Sequence, residues 1–573
     1  MRRVGWLKLG VMLAFLAISV RLFVVQILEH DDYVARASAQ HMKKFVLPAR
    51  RGMIYMMNGG EVVPVVMNES VYTVFVDPKM VKEDAKVEKV ITRVVPKEKR
   101  VGNFKEAWSN RDNQYYVVGR ELTRREAEAI KAEGLAGIGF TETVKRVYPE
   151  PEASFAAQTL GFVNNEGIGQ YGVEGAFNEE LSGKEGQLIT VTDVNAVPLT
   201  IGEENVKEPA VNGKDIVLSI DRNVQRKVEK ALLAGMERSR GTYASGLVMN
   251  PQNGQILAMA NLPSFEPGDY GKVESAEVYQ NTALVAAYEP ASVCKTFTFA
   301  TGVDRGLIRP SDTYNNTGFT MVDAAKISNV NQGHRGEISF QEALNYSLNT
   351  GSVEALRRFD GGEITQKGEE VLYEYYHDKF GLGELTGVEV YEERGQVISP
   401  AAAAGSGAAV RYANMTFGQG LAVTMLQIAA GYAAVVNGGE YYRPSLIAGE
   451  MVDGRFVAAE KANPVRRVVS EQTSATMREM LETARNGRPD LGRLDPVGYK
   501  MGAKSGTAEV PGPNGRYKKD EAVATYVGYG GRELPEYVII VRIGGEGKIM
   551  DGFRDAGAVW TEISNYLIGY LKI

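Results

Sequence analysis

Residues 288–297 read Tyr-Glu-Pro-Ala-Ser-Val-Cys-Lys-Thr-Phe, and the rest of the chain is organised around them. Pro290 precedes an apolar run that stops between Gly302 and Gly306, and these boundary residues predict a helix. Ser292 and Lys295 are three positions apart, so their side chains share one helix face. The unpaired N–H groups at a helix N-terminus favour developing negative charge. The pattern therefore predicts a serine nucleophile with a lysine base.

Two sparse fragments downstream support this interpretation. Ser347-Leu348-Asn349 is the only Ser-x-Asn of the sequence, and Lys504-Ser505-Gly506 is its only Lys-Ser/Thr-Gly. Ser292 likewise opens its only Ser-x-x-Lys. An isolated Ser-x-x-Lys is usually an ordinary helix start, but the three patterns in this order form the signature set of penicillin-binding proteins and serine β-lactamases.

Composition excludes several classes of function. The net charge of −6 gives no basic field, so no nucleic-acid partner is expected. The four histidines are scattered, and neither a Gly-x-Ser-x-Gly nor a Walker loop occurs, so we expect no metal and no cofactor. Cys294 is the single cysteine and cannot form an intramolecular disulfide.

The N-terminus carries a candidate membrane anchor. Residues Trp6 to Leu28 are largely apolar and long enough to cross roughly 30 Å of hydrocarbon. Arg2 and Arg3 lie before this run and acidic residues follow it, so the positive-inside bias places the N-terminus in the cytoplasm and the rest of the chain outside. A cleaved signal peptide is the alternative, because Ala37-Ser38-Ala39 resembles a cleavage site.

Three segments are predicted. Residues 1–28 form a cytoplasmic tail and transmembrane anchor, residues 29–206 a non-catalytic pedestal or dimerisation-like domain, and residues 207–573 the catalytic domain. In the pedestal, Asn58-Gly59 predicts a turn after a strand, and Thr123 opens a capping box. The pedestal assembles no nucleophile with a base and an orienting group, which favours a spacer or docking platform.

The catalytic domain is predicted to have a mixed α+β fold. Residues 215–220 predict a short strand and Asn223 to Met236 an amphipathic helix. The further strand candidates are 244–250, 255–260, 498–505, 522–529 and 537–543. The sequence between the two strand groups is mainly helical, and helical period returns from Val559 to Tyr570. This order predicts one five-stranded antiparallel sheet, built from both ends of the domain and flanked by helices. Ala401 to Ala409 is rich in Ala and Gly and predicts a surface loop.

The three motifs suggest a division of chemical work. A serine hydroxyl attacks well only when a base takes its proton, and burial together with the like charge of Lys504 would lower the pKa of Lys295 and make it that base. Ser347 can relay a proton to a leaving nitrogen, because a hydroxyl both donates and accepts. Asn349 can hold a substrate amide through its carbonyl and its NH2 group.

The segment that begins at Lys504 predicts the substrate-binding edge. Ser505, Gly506 and Thr507 are the candidate binding residues, since Gly506 allows an extended peptide to approach the strand and Lys504 with Thr507 suits its carboxylate. Backbone N–H groups of Ser292 and Thr507 would hold the oxyanion. No water-activating carboxylate is evident, which favours transfer of the acyl group over its hydrolysis.

The motifs together resemble those of class B penicillin-binding proteins, which are membrane-anchored peptidoglycan D,D-transpeptidases of the division or elongation type. The resemblance spans nearly the whole chain. It also rests on Arg50-Arg51-Gly52, Arg146-Val147-Tyr148-Pro149, Leu160-Gly161-Phe162-Val163, Gly172-Val173-Glu174-Gly175, Phe265-Glu266-Pro267, Phe380-Gly381-Leu382-Gly383, Phe417-Gly418-Gln419-Gly420 and Asn437-Gly438-Gly439.

This resemblance implies a penicillin-recognising transpeptidase domain. Ser292 would form an acyl-enzyme with a donor stem peptide ending in D-Ala-D-Ala, D-Ala would leave, and β-lactams would acylate the same serine. The implied partners are peptidoglycan stem peptides on lipid-linked or nascent glycan strands, a membrane glycosyltransferase of the shape, elongation, division and sporulation family, and other divisome or elongasome membrane proteins. The implied location is the bacterial inner membrane, with the catalytic domain extracytoplasmic. The modest length favours a septal role.

Two departures from the family pattern stand out. Met56 and Met57 occupy positions where Asp-Arg is usual, and Cys294 occupies a position where Phe is usual. A buried, inert thiol is the expectation for Cys294. A D,D-carboxypeptidase or β-lactamase-like hydrolase and a non-catalytic wall-synthesis scaffold remain alternative functions. The lifetime of the acyl-enzyme separates the hydrolase from the transpeptidase, and three intact motifs argue against the scaffold.

Overall fold

The computed structural model describes residues 2–33, 42–191, 206–405, 407–486, 496–512 and 516–571. The chain separates into two compact units, one of residues 1–52 and 179–214 and one of residues 53–178 and 215–573. The smaller unit contains a three-stranded antiparallel sheet in the order Met42–Leu47, Gly186–Val191, Val206–Glu208.

The N-terminal helix belongs to the smaller unit. It runs from Arg2 to Phe23 and continues as a π-helical turn, Val24–Leu28. Among the described residues it is the one helix long and apolar enough to cross a membrane, by length and composition. Its apolar side chains are exposed, as expected for a helix that needs hydrocarbon as its solvent. This agrees with the predicted single anchor.

The larger unit contains a seven-stranded sheet. Six strands follow in the order Arg455–Ala458, Ile447–Val452, Asp215–Asp221, Ile54–Asn58, Glu61–Val76 and Tyr116–Leu122, and Ile138–Val147 also pairs with Glu61–Val76. The pairing of Ile54–Asn58 with Asp215–Asp221 is parallel, so strands from the predicted pedestal and from the predicted catalytic segment share one sheet. This sheet therefore contains strands from both sides of the boundary predicted at residue 206.

Local predictions in the first part of this unit are confirmed. Asn58 pairs with Glu61 across a turn in which Gly59 has a φ of +63°. Thr123 and Glu126 form the reciprocal capping box, and the helix runs from Arg124 to Lys131. The other helices here are Asp84–Val94, Phe104–Ser109, Ala157–Leu160 and Gly172–Ala176. Met56, at one departure from the family pattern, is fully buried and serves as a core residue.

The five-stranded antiparallel sheet is confirmed. Its order is Ile256–Leu262, Tyr243–Met249, Pro535–Gly544, Tyr517–Gly531 and Lys500–Pro511. Helices Arg222–Ser239 and Gly557–Tyr570 pack against it through a cluster that includes Val228, Leu232 and the fully buried Trp560. Burying large apolar side chains of this kind contributes roughly 1.5–3 kcal/mol each to the free energy of folding, and the cluster therefore stabilises the packing of these helices on the sheet.

A helical insert lies between the two strand groups in the sequence. Its helices are Thr282–Val285, Lys295–Asp304, Phe340–Asn345, Asn349–Arg358, Gln366–Tyr373, Pro400–Ala403, Ala408–Met415, Met425–Val436 and Glu471–Asn486. It also holds a small hairpin, Phe319–Val322 with Ala325–Ser328, which lies in the sequence between the two paired strands Thr313–Asn316 and Gly336–Ser339.

The surface loop predicted from Ala401 to Ala409 is wrong over most of its length. Helix Pro400–Ala403 occupies its start and helix Ala408–Met415 its end. Ser399 caps the first of these by accepting from Ala402 N at 3.3 Å. Alanine has the highest helix propensity, so a capped alanine run after a proline forms helix although its composition suggests a loop.

Candidate active site

Ser292 lies where a tight turn enters a helix. A 3-10 turn, Ala291–Cys294, runs directly into the nucleophile helix, Lys295–Asp304. The predicted helix is thus confirmed, with a tighter first turn than expected. Ala291 has a φ of +50°, in the left-handed region that side chains other than glycine rarely adopt. Strain of this kind persists only where the surroundings hold the backbone, and it is common at functional sites.

Two glycines pack closely against the turn. Ala291 N donates to the carbonyl of Gly418 at 3.1 Å. A Cβ on Gly418 would lie 2.0 Å from the carbonyl oxygen of Ala291, and one on Gly506 would lie 2.5 Å from that of Pro290. Only glycine permits such close backbone contact, so these two residues let their segments close on the nucleophile turn.

Lys295 is fully buried and its amine is surrounded by oxygens. Nζ lies 2.9 Å from Ser292 Oγ, 2.7 Å from Ser347 O, 3.1 Å from Ser347 Oγ and 2.8 Å from Asn349 Oδ1. The two carbonyl oxygens can only accept hydrogen bonds, whereas the hydroxyls can also donate. A neutral amine can therefore donate to both carbonyls and direct its lone pair at the Ser292 hydroxyl. The arrangement is therefore compatible with a neutral Lys295 amine that acts as the base.

The electrostatics favour the same form. Burial, and then the ammonium of Lys504, hold the pKa of the Lys295 amine well below its usual range. These are the two causes expected from the sequence.

Ser347 connects the two lysines. Its Oγ accepts from Lys504 Nζ at 3.0 Å and lies 3.1 Å from Lys295 Nζ. Its φ is +55°, a second strained backbone position in the site, and the fully buried Leu348 follows it. A hydroxyl placed between two amines can pass a proton from one side to the other.

Asn349 is engaged within the protein at both ends of its amide. Oδ1 accepts from Lys295 Nζ, and Nδ2 donates to Ser328 O at 3.0 Å. The geometry therefore gives Asn349 a positioning task on Lys295. The predicted contact with a substrate amide stays a prediction, for which Oδ1 keeps a second lone pair and Nδ2 a second N–H.

The lysine strand, Lys500–Pro511, forms one edge of the five-stranded sheet. Lys504 is 5% exposed, and its Nζ also donates to Ser505 O at 3.0 Å. Gly506 is buried, whereas Thr507 is exposed and its Oγ1 accepts from Gly552 N at 3.0 Å. Within the described residues no strand pairs with its outer side, which leaves that edge for an added strand of substrate.

Cys294 is buried next to the nucleophile. Burial raises the pKa of its thiol, so little thiolate forms near neutral pH. The hydroxyl of Tyr376 lies 3.2 Å from the Cys294 carbonyl and connects this turn to the π-helical segment Glu374–Lys379. The predicted burial is confirmed.

Two contributors were missed by the sequence reasoning. Gly418 lies within Phe417-Gly418-Gln419-Gly420, which the sequence marks as part of the family resemblance but without a role at the site; its density of glycine is the signal that could have suggested one. Ser328 contributes a backbone carbonyl, which every residue type supplies, so no sequence signal marks it. In the part of the chain that the structure describes, no group of three or more His, Cys, Asp or Glu could hold a metal ion.

The site agrees with a family comparison. The model of the penicillin binding protein transpeptidase domain matches residues 244–565, more than half of the chain. The chain belongs to this family. A second model, the penicillin-binding protein dimerisation domain, matches residues 46–218. The prediction of a class B penicillin-binding protein is confirmed, and the matched family is defined by its transpeptidase domain.

Relatives and solved structures extend the comparison over nearly the whole penicillin-binding protein. Stage V sporulation protein D of Bacillus subtilis (strain 168) is 29% identical over 554 residues, covering 95% of this chain and 81% of that protein. Peptidoglycan D,D-transpeptidase FtsI of Escherichia coli (strain K12) is 25% identical over 547 residues, covering 93% and 85%. Penicillin binding protein 2X from Streptococcus thermophilus superposes with a TM-score of 0.73 at 23% identity, covering 92% of this chain and 81% of that one, and confirms the predicted fold.

Proposed function

We propose that this penicillin-binding protein is a peptidoglycan D,D-transpeptidase that cross-links stem peptides through an acyl-enzyme on Ser292. The observation that carries the proposal is the Lys295 amine, which lies 2.9 Å from Ser292 Oγ and whose burial together with the charge of Lys504 favours its neutral form. The family match and the relatives named as transpeptidases support the same reaction.

Acylation begins when Lys295 takes the proton of the Ser292 hydroxyl. Ser292 Oγ bonds to the carbonyl carbon of the penultimate D-Ala, and backbone N–H groups of Ser292 and Thr507 stabilise the oxyanion. The bond to the terminal D-Ala then breaks. Ser347 relays the proton from Lys295 to the leaving nitrogen, and D-Ala departs with a free amino group.

The donor lies along the lysine strand as an added antiparallel strand. Its terminal carboxylate faces the ammonium of Lys504 and the hydroxyls of Ser505 and Thr507, which supply charge-assisted hydrogen bonds. A β-lactam occupies the same place, and its ring carbonyl acylates Ser292 with opening of the amide.

The acyl-enzyme is consumed by an amine. The acceptor nitrogen attacks the ester carbonyl, gives up a proton through Ser347 and Lys295, and leaves Ser292 free again. The hydrogen bonds of Ser292, Lys295 and Ser347 to described residues include no carboxylate that could activate water. This favours transfer over hydrolysis, the main alternative.

Labelling of the full chain in detergent with a fluorescent penicillin tests this proposal. We expect a band on a denaturing gel that persists for hours and that is lost in Ser292→Ala. Ser311→Ala, an exposed serine of the same insert, should label like the wild type. A band that decays within minutes would favour the hydrolase, and a well-folded protein without a Ser292-dependent band would favour the scaffold.

The N-terminal helix and the basic residues at its start support an orientation with the N-terminus in the cytoplasm. Residues 29–206 would then connect the anchor to the transpeptidase domain, residues 207–573, on the outer side of a bacterial inner membrane. A reporter enzyme that is active only outside the cytoplasm should work when fused at the C-terminus and fail at the N-terminus. The reverse pattern would contradict this orientation.

The proposed partner is a membrane glycosyltransferase of the shape, elongation, division and sporulation family, acting at the septum with other divisome proteins. The single spanning helix supplies a surface for contact inside the membrane. We expect copurification with such a glycosyltransferase, and loss of it when residues 2–28 are replaced by an unrelated span. Side-wall localisation of a fluorescent fusion would contradict the septal role.

A further inference from the structure

A cavity of about 460 Å³ adjoins the nucleophile turn at the far end of the lysine strand. Ala508 to Pro511 form one wall, and Tyr288 and Glu289, which immediately precede the nucleophile turn, form another. Ala291 packs against Ala508 and Val523, so the cavity and the nucleophile turn share a wall. The mechanism proposed above uses none of its charged side chains.

One charged side chain of this cavity is an arginine without a counterion. Arg542 lines the cavity, and its guanidinium carbon lies 4.2 Å from the ring centre of Tyr288 and 5.2 Å from that of Tyr243. Its Nε is buried and has no hydrogen-bond partner, and no carboxylate of the described residues forms an ion pair with it. Arg542 is half-buried, and a buried N–H without a hydrogen-bond partner is costly unless a ligand supplies the acceptor, which an anion would do best.

The ring beneath this guanidinium is itself fixed. Tyr288 is buried, and its hydroxyl hydrogen-bonds with Thr525 Oγ1 at 3.1 Å. Thr525 lies directly opposite Arg542 in the sheet register. The guanidinium is therefore presented on a rigid support, which lowers the entropy cost of binding an anion there.

Two carboxylates complete the charges of the cavity. Glu289 accepts from Gly420 N at 2.8 Å and from the Tyr517 hydroxyl at 2.9 Å, and Glu509 accepts from Gln419 Nε2 at 3.3 Å. Neither forms an ion pair with a described cation. Burial and the nearby Glu509 raise the pKa of Glu289. Two neighbouring carboxylates without a cation attract a ligand ammonium.

The direction of the donor places a specific residue beside this cavity. If its terminal carboxylate lies at Lys504 and its scissile carbonyl at Thr507 N, an antiparallel peptide continues toward Pro511. The residue that precedes the two D-alanines then lies next to Ala508 and Glu509. Successive side chains of an extended strand point to opposite faces, so one side chain of the donor can enter the cavity.

We propose that this cavity is a donor subsite for a side chain that ends in a carbon bearing both an ammonium and a carboxylate. The carboxylate pairs with Arg542, and the ammonium lies between Glu289 and Glu509. This inference rests on the proposed function, because it takes the donor orientation from that reaction. It adds the chemical class of the donor: a stem peptide with a zwitterionic side-chain end before its D-alanines.

Competition against fluorescent penicillin tests the subsite, with the full chain in detergent. Three pentapeptides ending in D-Ala-D-Ala differ only at the end of the third side chain: ammonium with carboxylate, ammonium with carboxamide, or ammonium alone. We expect the first to protect Ser292 at a concentration about tenfold or more below that of the other two, as for loss of one charge-assisted hydrogen-bonded pair.

Variants assign the preference to its residues. Arg542→Gln should remove the discrimination between carboxylate and carboxamide, and Arg542→Lys should retain part of it, since a lysine keeps the charge but not the planar fork. Arg532→Gln is the matched control, because Arg532 also lies over a tyrosine ring, 5.4 Å from that of Tyr499, but is exposed. It should keep the full preference.

The outcomes separate the subsite from the reaction. Equal protection by the zwitterionic and carboxamide peptides, or no protection by any of the three, overturns the subsite while Ser292-dependent labelling leaves the proposed function standing. A preference that survives in Arg542→Gln also overturns it. A folded chain that penicillin does not label at Ser292 overturns the proposed function itself, and the subsite with it.

Discussion

Lys295 Nζ lies 2.9 Å from Ser292 Oγ, at the first turn of a helix that buries the lysine completely. A protonated lysine has three donors and no acceptor, so in that state it cannot take the serine proton. The neutral amine can, and the two carbonyl acceptors at its other positions leave its lone pair for Ser292. The pair is therefore built for the transfer of one proton from the hydroxyl to the amine.

Replacing this lysine by arginine should stop acylation. A guanidinium stays protonated at all accessible pH values, so Lys295→Arg keeps the charge but removes the base. General bases contribute roughly 10²–10⁴-fold, and we expect penicillin acylation to slow by at least about a hundredfold. Time courses of fluorescent labelling measure this. Lys295→Met, which is uncharged and similar in length, should be equally slow.

The control for this prediction is Lys548→Arg, an exposed lysine of the same domain, which should label like the wild type. Thermal melting establishes that each variant is folded. A folded Lys295→Arg or Lys295→Met that is acylated at the wild-type rate would rule out Lys295 as the base.

The rate of acylation should rise with pH through the folded-state pKa of Lys295. Burial and Lys504 lower that pKa, whereas the amine of the unfolded chain titrates at about 10.4. Between these two values the unfolded chain binds more protons than the folded one, so the free energy of unfolding also rises with pH in that window. Below the folded pKa, Lys295 is protonated in both states and contributes no further pH dependence.

Lys504→Gln separates the two causes of this shift. It removes the like charge, so the pKa of Lys295 should rise and the acid limb of the acylation profile should move to higher pH. Lys504→Arg keeps the charge and should leave the midpoint in place, even if the amplitude falls because Lys504 also binds substrate. An unchanged midpoint in Lys504→Gln would mean that burial alone sets the pKa.

The sequence predicts most of this site because its three motifs contain the reactive and charged side chains themselves. Ser292 and Lys295 are linked by helix periodicity alone, and the five strands around them follow from alternation and turn residues. The strand Asp215–Asp221 shows where that reasoning stops, since its parallel partner, Ile54–Asn58, depends on a crossover of the intervening chain.

The remaining features depend on close approach between distant segments. Arg542 and Tyr288 meet where Pro535–Gly544 pairs with Tyr517–Gly531, because Thr525 of the second strand lies opposite Arg542 and hydrogen-bonds to the Tyr288 hydroxyl. Asn349 looks like a substrate ligand in the sequence. One of its internal hydrogen bonds forms only when the hairpin that ends at Ser328 folds over it, and the other only when the nucleophile helix brings Lys295 Nζ to it. Periodicity carries no information about such contacts.

Cys294 should be inert in the folded protein. The thiol is fully buried and burial raises its pKa, so both access and thiolate are lacking. We expect a maleimide to modify the unfolded chain within minutes and the native chain at least about a hundredfold more slowly, with no loss of penicillin labelling. Mass spectrometry measures the extent of modification. Cys294→Ala is the blank, and rapid native modification that blocks labelling would identify a reactive thiol.

Gly418→Ala should disturb the nucleophile turn. Its φ is +83°, and a Cβ would lie 2.0 Å from the carbonyl oxygen of Ala291, which is backbone and cannot rotate away. Gly547 is the matched control, because it also has a positive φ, +62°, but its Cβ would meet open space. Gly547→Ala should therefore cost only about 1 kcal/mol of backbone strain.

Gly418→Ala introduces the same backbone strain and must also move the turn that carries Ser292. Displacing a reacting atom by about 1 Å can cost 10²-fold in rate, so we expect a lower melting temperature than in Gly547→Ala and penicillin acylation slowed by at least about tenfold. If both variants melt and label alike, the close contact between Gly418 and Ala291 does not hold the nucleophile in place.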